Sequence, residues 1–311
     1  MANFEMIAWD ETNGASDAYR HNFPHLHQAC ELLLLISGKA DVFYYDSNQT
    51  VTHTYHAGPG DLLLFAGLEI HKVQAVGFPY RRLGVRFSLE VLHRLFHNPA
   101  LSAIYNCRNS GFRHLIHLSG GALEESRRSL EGIVREFTRQ EPFFRDAMQY
   151  MLGQFTTQLY RFSPEMFPPV GEENQQVLRE VQAYLQQNFA KPLRIEEVAR
   201  TFYLSHSHLS HAFKRFVGMT PKQYLNLCRL AYARELLATT AGPLESVAQA
   251  AGLTDANSMV RLFRRMIGVT PGAYRKAMQE NEAFAYGAPL PPNQAYELAI
   301  GTRPAGQPDT K

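Results

Sequence analysis

Apolar and polar positions alternate with a strand-like period in the first part of the chain. Residues 23–88 contain the short apolar runs ACELLLLI, ADVFYY, VTHTYH, DLLLFA and RRLGVRF, separated by the turn-forming stretches SGK, DSNQ and AGPGD. Runs of this length between Gly, Pro, Asp and Asn residues indicate β-strands joined by turns. Several short strands at this spacing predict an antiparallel barrel or sandwich, which we place over residues 1–120.

The apolar period changes to that of helices over residues 121–163. One amphipathic stripe comprises Leu123, Leu130, Val134 and Phe137, and a second comprises Phe144, Met148, Met151, Phe155 and Leu159, with Pro142 at its start. Both stripes predict helices. We expect this pair to form a dimer, because an apolar stripe outside the barrel needs a partner. The alternative is that the pair covers an open face of the barrel.

The second half of the chain contains an internal repeat. After a Pro-rich linker over residues 164–174, residues 175–280 have a helical pattern, and residues 281–311 are predicted to be an irregular tail. The stretch FKRFVGMTPKQYL begins at Phe213, and FRRMIGVTPGAYR begins at Phe263. A repeat at this spacing indicates that one supersecondary unit occurs twice.

Each repeated unit is predicted to hold two helices joined by a sharp turn. Ser205 and Asp255 are good N-caps for the second helix of each unit. The offset between the units rises from 49 to 50 residues between their helices, so the second turn is one residue longer. After each unit, Gly ends a helix, Thr caps the next one and Pro takes its first position. A long helix, TPKQYLNLCRLAYARELL, therefore joins the two units.

The outward faces of the two second helices are polar and basic, without an acidic residue. They comprise Ser207, His208, Ser210, His211, Lys214 and Arg215 in the first unit, and Asn257, Ser258, Val260, Arg261, Arg264 and Arg265 in the second. The chain has a net charge of only +2, yet residues 175–280 hold 14 Lys+Arg against 7 Asp+Glu. This asymmetry points to a polyanion. The pattern predicts two helix-turn-helix units whose second helices enter successive major grooves, roughly 34 Å apart. The alternative is a helical bundle without a DNA role.

Residues ~190–278 resemble the DNA-binding domain of the AraC/XylS family of bacterial transcriptional regulators. The motifs are IEEVARTFYLSHSHLSHAFKRFVGMTP and VAQAAGLTDANSMVRLFRRMIGVTPGAYR. Where the family often has an aromatic pair, this chain has Ser258 and Met259, which shortens one side chain near the DNA. Carried over by position, the resemblance implies base contacts from Ser207, Ser210, His211, Ala256, Asn257, Ser258, Val260 and Arg261. It implies phosphate contacts from Lys214, Arg215, Arg264 and Arg265.

Four residues of the N-terminal region form a second pattern. His25, His27 and Glu31 occupy odd positions of one predicted strand, and His71 follows a Pro-Gly-Asp turn. This pattern resembles the cupin barrel motif, whose four residues bind a divalent metal in cupin enzymes. In AraC-type regulators a similar pattern belongs to an effector-binding barrel, generally without metal. We therefore interpret these four residues as an effector pocket or barrel wall, with no metal and no cofactor.

Composition and the absence of certain motifs further limit the class of protein. No apolar run approaches the ~18 residues that span a bilayer, and the N-terminus lacks a signal-peptide pattern. Cys30, Cys107 and Cys228 are scattered, which indicates reduced thiols in a cytoplasmic protein. A nucleotide-binding Gly-rich loop and a nucleophile elbow are both missing from the sequence, which argues against an enzyme.

We therefore predict an α+β multidomain protein: an N-terminal cupin-like antiparallel β-barrel with a helical pair, and a C-terminal all-α domain of two helix-turn-helix units. The predicted function is a one-component transcriptional regulator that binds specific double-stranded DNA. A small-molecule effector, sugars included, would bind the barrel. Further expected partners are a second copy of the chain and, for an activator, RNA polymerase. The alternative is a cupin metalloenzyme with a nucleic-acid tether.

Overall fold

The N-terminal domain is a six-stranded antiparallel sheet. A computed structural model describes residues 6–14, 24–46, 49–108, 112–168 and 174–280. The strands are β1 (Met6–Asn13), β2 (Cys30–Tyr45), β3 (Val51–Ala57), β4 (Asp61–Phe65), β5 (Ile70–Phe87) and β6 (Leu115–His117). Their order is β1-β5-β2-β4-β6, and β3 pairs with β2. The predicted antiparallel architecture is confirmed. Within the described residues β1 and β6 do not pair with each other, so the sheet is curled and barrel-like rather than closed.

The central strand β2 is longer than the sequence pattern predicted. The stretch SGK, interpreted above as a turn, lies inside this strand, where the register against β5 shifts between Leu35 and Ala40. Gly38 has a φ of +80°, and a Cβ there would lie 2.4 Å from the carbonyl oxygen of Gly77. Glycine therefore allows the strand to bend against its neighbour without ending. The predicted turn was wrong because a bend and a turn use the same residue types.

The apolar run of β2 is buried on both of its faces. Leu33 and Leu35 pack with Trp9, Phe65 and others inside the curl of the sheet. Leu32 and Leu34 point the other way and pack against helices on the outer face. Because successive side chains of a strand alternate between faces, a strand covered on both sides shows a continuous apolar run.

The helices α1 (Leu89–Leu95), α2 (Pro99–Asn106), α3 (Gly120–Arg139) and α4 (Phe144–Phe162) cover that outer face. The stripes of α3 and α4 pack into the same core as the sheet, with Leu130, Phe155 and Leu159 fully buried. The stripes thus have a partner within their own chain. Helix α4 begins two residues after Pro142. A short 3-10 helix follows at Pro164–Met166, and residues 169–173 of the predicted linker lie outside the described residues.

The C-terminal domain is helical throughout its described length. Its helices are α5 (Asn174–Asn188), α6 (Ile195–Thr201), α7 (His206–Val217), α8 (Pro221–Thr239), α9 (Leu244–Ala250), α10 (Ala256–Ile267) and α11 (Pro271–Glu280). The pairs α6–α7 and α9–α10 are the two predicted units, and α8 joins them. None of the described helices is both long enough and apolar enough to cross a membrane. The predicted tail, residues 281–311, lies outside the described residues.

Candidate DNA-binding surface, interdomain cavity and histidine cluster

The second helix of each unit, α7 and α10, begins and ends as the sequence predicts. The Ser205 hydroxyl accepts a hydrogen bond from the amide of His208 at 3.2 Å, and the Asp255 carboxylate accepts one from the amide of Ser258 at 2.6 Å. Gly218 and Gly268 end the helices with φ values of 85° and 86°. These left-handed positions favour glycine. The caps therefore fix both the length and the starting direction of each helix.

The predicted DNA-contacting residues lie on the faces of α7 and α10 that point away from the core. The exposed residues are Ser207, His211, Lys214, Arg215, Asn257, Arg261, Arg264 and Arg265, and the half-buried ones are Ser210, Ala256, Ser258 and Val260. On the opposite face Leu209, Phe213, Met259 and Phe263 are fully buried. A guanidinium nitrogen of Arg261 donates to the Ser258 hydroxyl at 3.1 Å. Ser258 thus lies within hydrogen-bonding distance of the arginine one helical turn later.

The N-terminal domain contacts the C-terminal ends of both α7 and α10. The backbone amide of Arg108 donates to the carbonyl oxygen of Phe216 at 3.1 Å. The side-chain amide of Gln49 donates to the carbonyl oxygens of Arg264 and Arg265, each at 2.8 Å. The last carbonyl groups of a helix lack partners within that helix, so donors from elsewhere stabilise them. One domain therefore caps both candidate recognition helices.

A cavity of about 500 Å³ lies beside the first of these contacts, with Arg108 in its wall. Residues from the N-terminal domain on its wall include Tyr44, His53, Glu69, Arg108, Phe112 and His114. Residues from the C-terminal domain include Lys214, Val217, Gly218, Met219, Leu227 and Met266. The wall is therefore made by both domains, and it includes the glycine that ends α7.

A buried ionic network forms one side of the cavity. The Arg108 guanidinium donates to both oxygens of the Glu69 carboxylate, at 2.6 and 3.2 Å, and Nε2 of His114 lies 3.1 Å from the same group. Burial opposes ionisation of Glu69, but Arg108 and His114 bring its pKa far below the usual range. The Arg108 guanidinium also lies 4.0 Å from the ring centroid of Phe112. The sequence pattern missed this network, because His114 belongs to no short motif.

The four residues of the cupin-like pattern lie close together, as the sequence predicted. His25 and His71 form a backbone bridge with two hydrogen bonds of 2.8 Å. Nε2 of His27 lies 2.5 Å from Oε2 of Glu31, and Nε2 of His71 lies 3.9 Å from the same oxygen. Among the described residues, however, the walls of the 500 Å³ cavity are formed by other side chains. We name the four residues the histidine cluster.

Burial sets the charge state of the histidine cluster. It lowers the pKa of His25 and of His27, and it lowers the pKa of His71 to about 3. Burial would raise the pKa of Glu31, but Arg86, whose guanidinium lies 3.1 Å from Oε2, and His27 hold that pKa well below its usual range. Burial thus disfavours the charged form of the three imidazoles, whereas Arg86 and His27 favour the charged form of Glu31.

Comparison with known proteins identifies both halves of the chain. Residues 10–140 match the family described as AraC-like ligand binding domain, and residues 198–277 match the family described as helix-turn-helix domain. The uncharacterized transcriptional regulator YijO of Escherichia coli K12 is 34% identical over 103 residues, which are 33% of this chain and 36% of the relative. The transcriptional activator RhaS of Enterobacter sp. strain 638 is 36% identical over 105 residues, 34% of this chain and 38% of the relative. The matches thus span little more than a third of each relative.

The solved structures of ToxT from Vibrio cholerae share the whole fold. ToxT bound to (E)-4-(8-methylnaphthalen-1-yl)but-3-enoic acid has a TM-score of 0.60 and 10% identity, over 88% of this chain and 99% of ToxT. ToxT bound to an unsaturated fatty acid has a TM-score of 0.58 and 10% identity, over 88% and 96% of the two chains. At this identity the likeness shows the fold alone.

Proposed function

We propose that this chain, which belongs to the AraC family of transcriptional regulators, binds specific DNA sequences through α7 and α10 and responds to a small molecule in the interdomain cavity. The matched domains are those of a DNA-binding regulator with a ligand-binding domain, and the chain is not an enzyme. The observation that carries the proposal is the pair of contacts by which one domain caps both helices. We place the protein in the cytoplasm, where its DNA is.

The two contacts provide a physical route from the cavity to the DNA. A ligand changes DNA binding only if it binds two arrangements of the domains with different affinity. Arg108 contributes its guanidinium to the cavity wall and its backbone amide to the end of α7. A ligand that displaces Arg108 would therefore break the contact to α7, while Gln49 would keep its hydrogen bonds to α10. The relative orientation of the two helices, which successive major grooves must match, then changes.

The cavity favours a ligand with an apolar body and one anionic group. Phe112, Val217 and Met266 supply apolar wall, and Lys214 supplies a cation. Among the described residues Lys214 has no ion-pair partner within 4 Å, whereas Arg108 is already paired with Glu69. A carboxylate next to Lys214 would gain a charge-assisted hydrogen bond. The two organic acids bound by ToxT belong to this class. Sugars, which the sequence also suggested, remain in the test.

A ligand screen on the full-length chain tests the effector class. Thermal unfolding is measured with aliphatic and aromatic carboxylic acids, their neutral amides, and sugars. A ligand that binds only the folded state raises the midpoint according to RT ln(1 + [L]/Kd). We expect a rise with one or more acids, a smaller rise with the matching amides, and loss of that difference in Lys214→Met. A rise with sugars alone would refute the anionic class.

A substitution at Gln49 tests the coupling. Gln49→Ala removes both hydrogen bonds to the end of α10 and leaves the DNA-facing side chains intact. We expect the ligand-free variant to differ from the unsubstituted chain in DNA affinity by about 5-fold, which corresponds to about 1 kcal/mol of lost hydrogen bonding. The control is Gln154→Ala, on the exposed side of α4. Equal affinities for all three proteins would refute coupling through this contact.

A dimer remains part of the proposal, but it rests on a different surface from the one the sequence suggested. The stripes of α3 and α4 are covered by the sheet, whereas Phe143 and Tyr150 at the start of α4 are 81% and 74% exposed. Sedimentation of the full chain and of the double variant Phe143→Ser, Tyr150→Ser tests this surface. We expect the full chain to sediment as a dimer and the double variant to dissociate at higher protein concentration. If the protein is an activator, the dimer would offer RNA polymerase two copies of the chain.

A further inference from the structure

We propose that His114 takes up a proton when an anionic effector binds in the interdomain cavity, and that the effector therefore binds more tightly as the pH falls. His114 is 5% exposed and forms part of the cavity wall. The inference rests on the proposed function, because it concerns the same cavity and the same class of ligand. It adds a regulation of that site by pH, and it gives a role to a residue that belongs to no sequence motif.

The formal charges on the cavity wall cancel before any ligand binds. Apart from tyrosines, the ionisable side chains among the described residues of the wall are two cations, two carboxylates and two histidines: Arg108, Lys214, Asp46, Glu69, His53 and His114. With both histidines neutral, their sum is zero. A ligand carboxylate would leave the wall and the ligand together with one negative charge, even when it pairs with Lys214. Because an uncompensated charge is costly away from water, a proton on one of the two histidines would stabilise the complex.

Of the two histidines, His114 is the better placed to take up this proton. The His53 side chain is exposed, so water screens its charge from that of the ligand. The His114 ring is buried in the wall, where a nearby opposite charge favours the charged form more strongly than it does in water. The two ring centroids lie 5.2 Å apart, so a proton on one ring disfavours a proton on the other. We therefore expect a single proton, on His114.

The hydrogen bonds of His114 suit both of its charge states. Nε2 lies 3.1 Å from Oε1 of Glu69, and a carboxylate only accepts, so Nε2 carries the proton of the neutral ring. Nδ1 lies 3.3 Å from the Tyr55 hydroxyl, whose oxygen also accepts from the backbone amide of His114 at 3.4 Å. A hydroxyl has one O–H and two lone pairs, so it can donate to Nδ1 of the neutral ring or accept from Nδ1–H of the charged ring. The imidazole can therefore gain a proton without losing a hydrogen bond.

The surroundings of His114 favour its neutral form before the ligand binds. Burial lowers the pKa of His114, and Glu69 opposes this effect. Arg108 and His53 lower the same pKa further. Tyr44 of β2 lies against the ring, with centroids 3.9 Å apart, and contributes no charge, because burial raises its own pKa well above the usual value. The ligand carboxylate acts in the same direction as Glu69, so it shifts the balance towards the charged form.

The carboxylate of Glu69 connects this proton to the contact with α7. Its Oε1 accepts from Nε of Arg108 at 2.6 Å and lies 3.1 Å from Nε2 of His114. Once His114 is charged, two cations compete for this one oxygen, and the ion pair between Glu69 and Arg108 weakens. The Arg108 guanidinium can then donate to the ligand carboxylate. Because the backbone amide of Arg108 donates to Phe216 at the end of α7, the proton and the ligand act on the same contact.

The test is calorimetric titration of the full-length chain with octanoate and 4-phenylbutanoate at pH 8 and pH 6, where both acids remain ionised. Their neutral amides are the ligand controls. At pH 7 each titration is repeated in two buffers of different ionisation enthalpy, because the difference in heat counts the protons taken up. The variants are His114→Gln and Tyr55→Phe, and His53→Gln distinguishes the two histidines of the wall. The control is His56→Gln, an exposed histidine that pairs with Asp41 at 2.7 Å. Circular dichroism verifies that each variant is folded.

We expect the acids to bind about 5- to 10-fold more tightly at pH 6 than at pH 8, with proton uptake, and the amides to bind equally at both pH values. His114→Gln should abolish the pH dependence and the proton uptake. Tyr55→Phe should reduce both, because the charged Nδ1 loses its acceptor, and His56→Gln should behave as the unsubstituted chain does. The proposal is overturned if the acids bind equally at both pH values, if the pH dependence survives in His114→Gln, or if it disappears only in His53→Gln. If no acid binds at either pH, the proposed effector class is refuted, and this inference fails with it.

Discussion

Arg261 offers the sharpest test of how the DNA is recognised. Its side chain is exposed on α10, and one of its guanidinium nitrogens donates to Ser258. Arginine has five N–H donors, so enough of them remain for both guanine acceptors, N7 and O6. Because Ser258 restricts the guanidinium before DNA binds, little further ordering is needed. We expect Arg261 to contact one guanine.

The expected effect of Arg261→Ala is large but confined to one base pair. A bidentate contact to a base contributes about 1–3 kcal/mol, so affinity for the preferred sequence should fall about 5- to 150-fold. For sites that already lack the guanine, the substitution should change little. Ser258→Ala should weaken the same base pair by a smaller factor, because it removes only the restraint on Arg261.

The assay begins with selection of binding sites from a randomised duplex pool. The selected site and each of its single-base-pair variants are then titrated at one salt concentration. Arg265→Ala is the matched control, because truncating its side chain leaves its carbonyl oxygen available to Gln49. If Arg265 contacts a phosphate, its loss weakens all sites evenly and lowers the salt slope by about 1. An even loss across all sites with Arg261→Ala would refute the base contact.

Three further predictions concern the framework. Gly84→Ala should lower the free energy of unfolding, measured in urea, by about 1–3 kcal/mol, since a Cβ there would lie 2.1 Å from the buried ring of Trp9. The control is Gly58→Ala, because a Cβ at Gly58 would have no atom within 4 Å. Thr220→Ala should cost about 1 kcal/mol, because the capping box at the start of α8 is lost. Burial raises the pKa of Cys30 to about 12. The pKa of an unfolded thiol is about 8.5, so the free energy of unfolding should fall as the pH rises from there towards 12. A thiol reagent at pH 8 should modify Cys30 only as fast as the chain unfolds. A rapid reaction of the folded chain would contradict this.

The sequence predicted the features whose causes lie within a few residues. Ser205 caps α7, and Thr220 with Pro221 starts α8, because these signals act over three or four positions. The longer second turn followed from the change in repeat offset. The bend at Gly38 was mistaken for a turn, since local composition cannot show whether the hydrogen bonds to a neighbouring strand continue.

The contacts between domains lie beyond what a local pattern can show. Gln49 is 215 residues away from Arg264, to whose carbonyl oxygen it donates. Neither residue belongs to a pattern that would single out the pair. His114 belongs to no motif of the sequence analysis, yet the fold places its Nε2 3.1 Å from the carboxylate of Glu69. The four residues of the histidine cluster were recognised from the cupin-like pattern. The expectation that His25, His27 and Glu31 share one strand was wrong, because a bend at residues 28 and 29 separates the two histidines from β2.

The burial of α8 limits which insertions and deletions its sequence can accept. Its fully buried residues include Tyr224, Cys228, Leu230, Ala233 and Leu237, which pack against helices of both units. One inserted residue would rotate everything after it by about 100° and advance it by about 1.5 Å. Such a change would disrupt the packing of both units at once, because α8 and the two units share one hydrophobic core. Insertions or deletions within α8 are therefore expected to destabilise the domain, so the distance between α7 and α10 is set by the packing of α8.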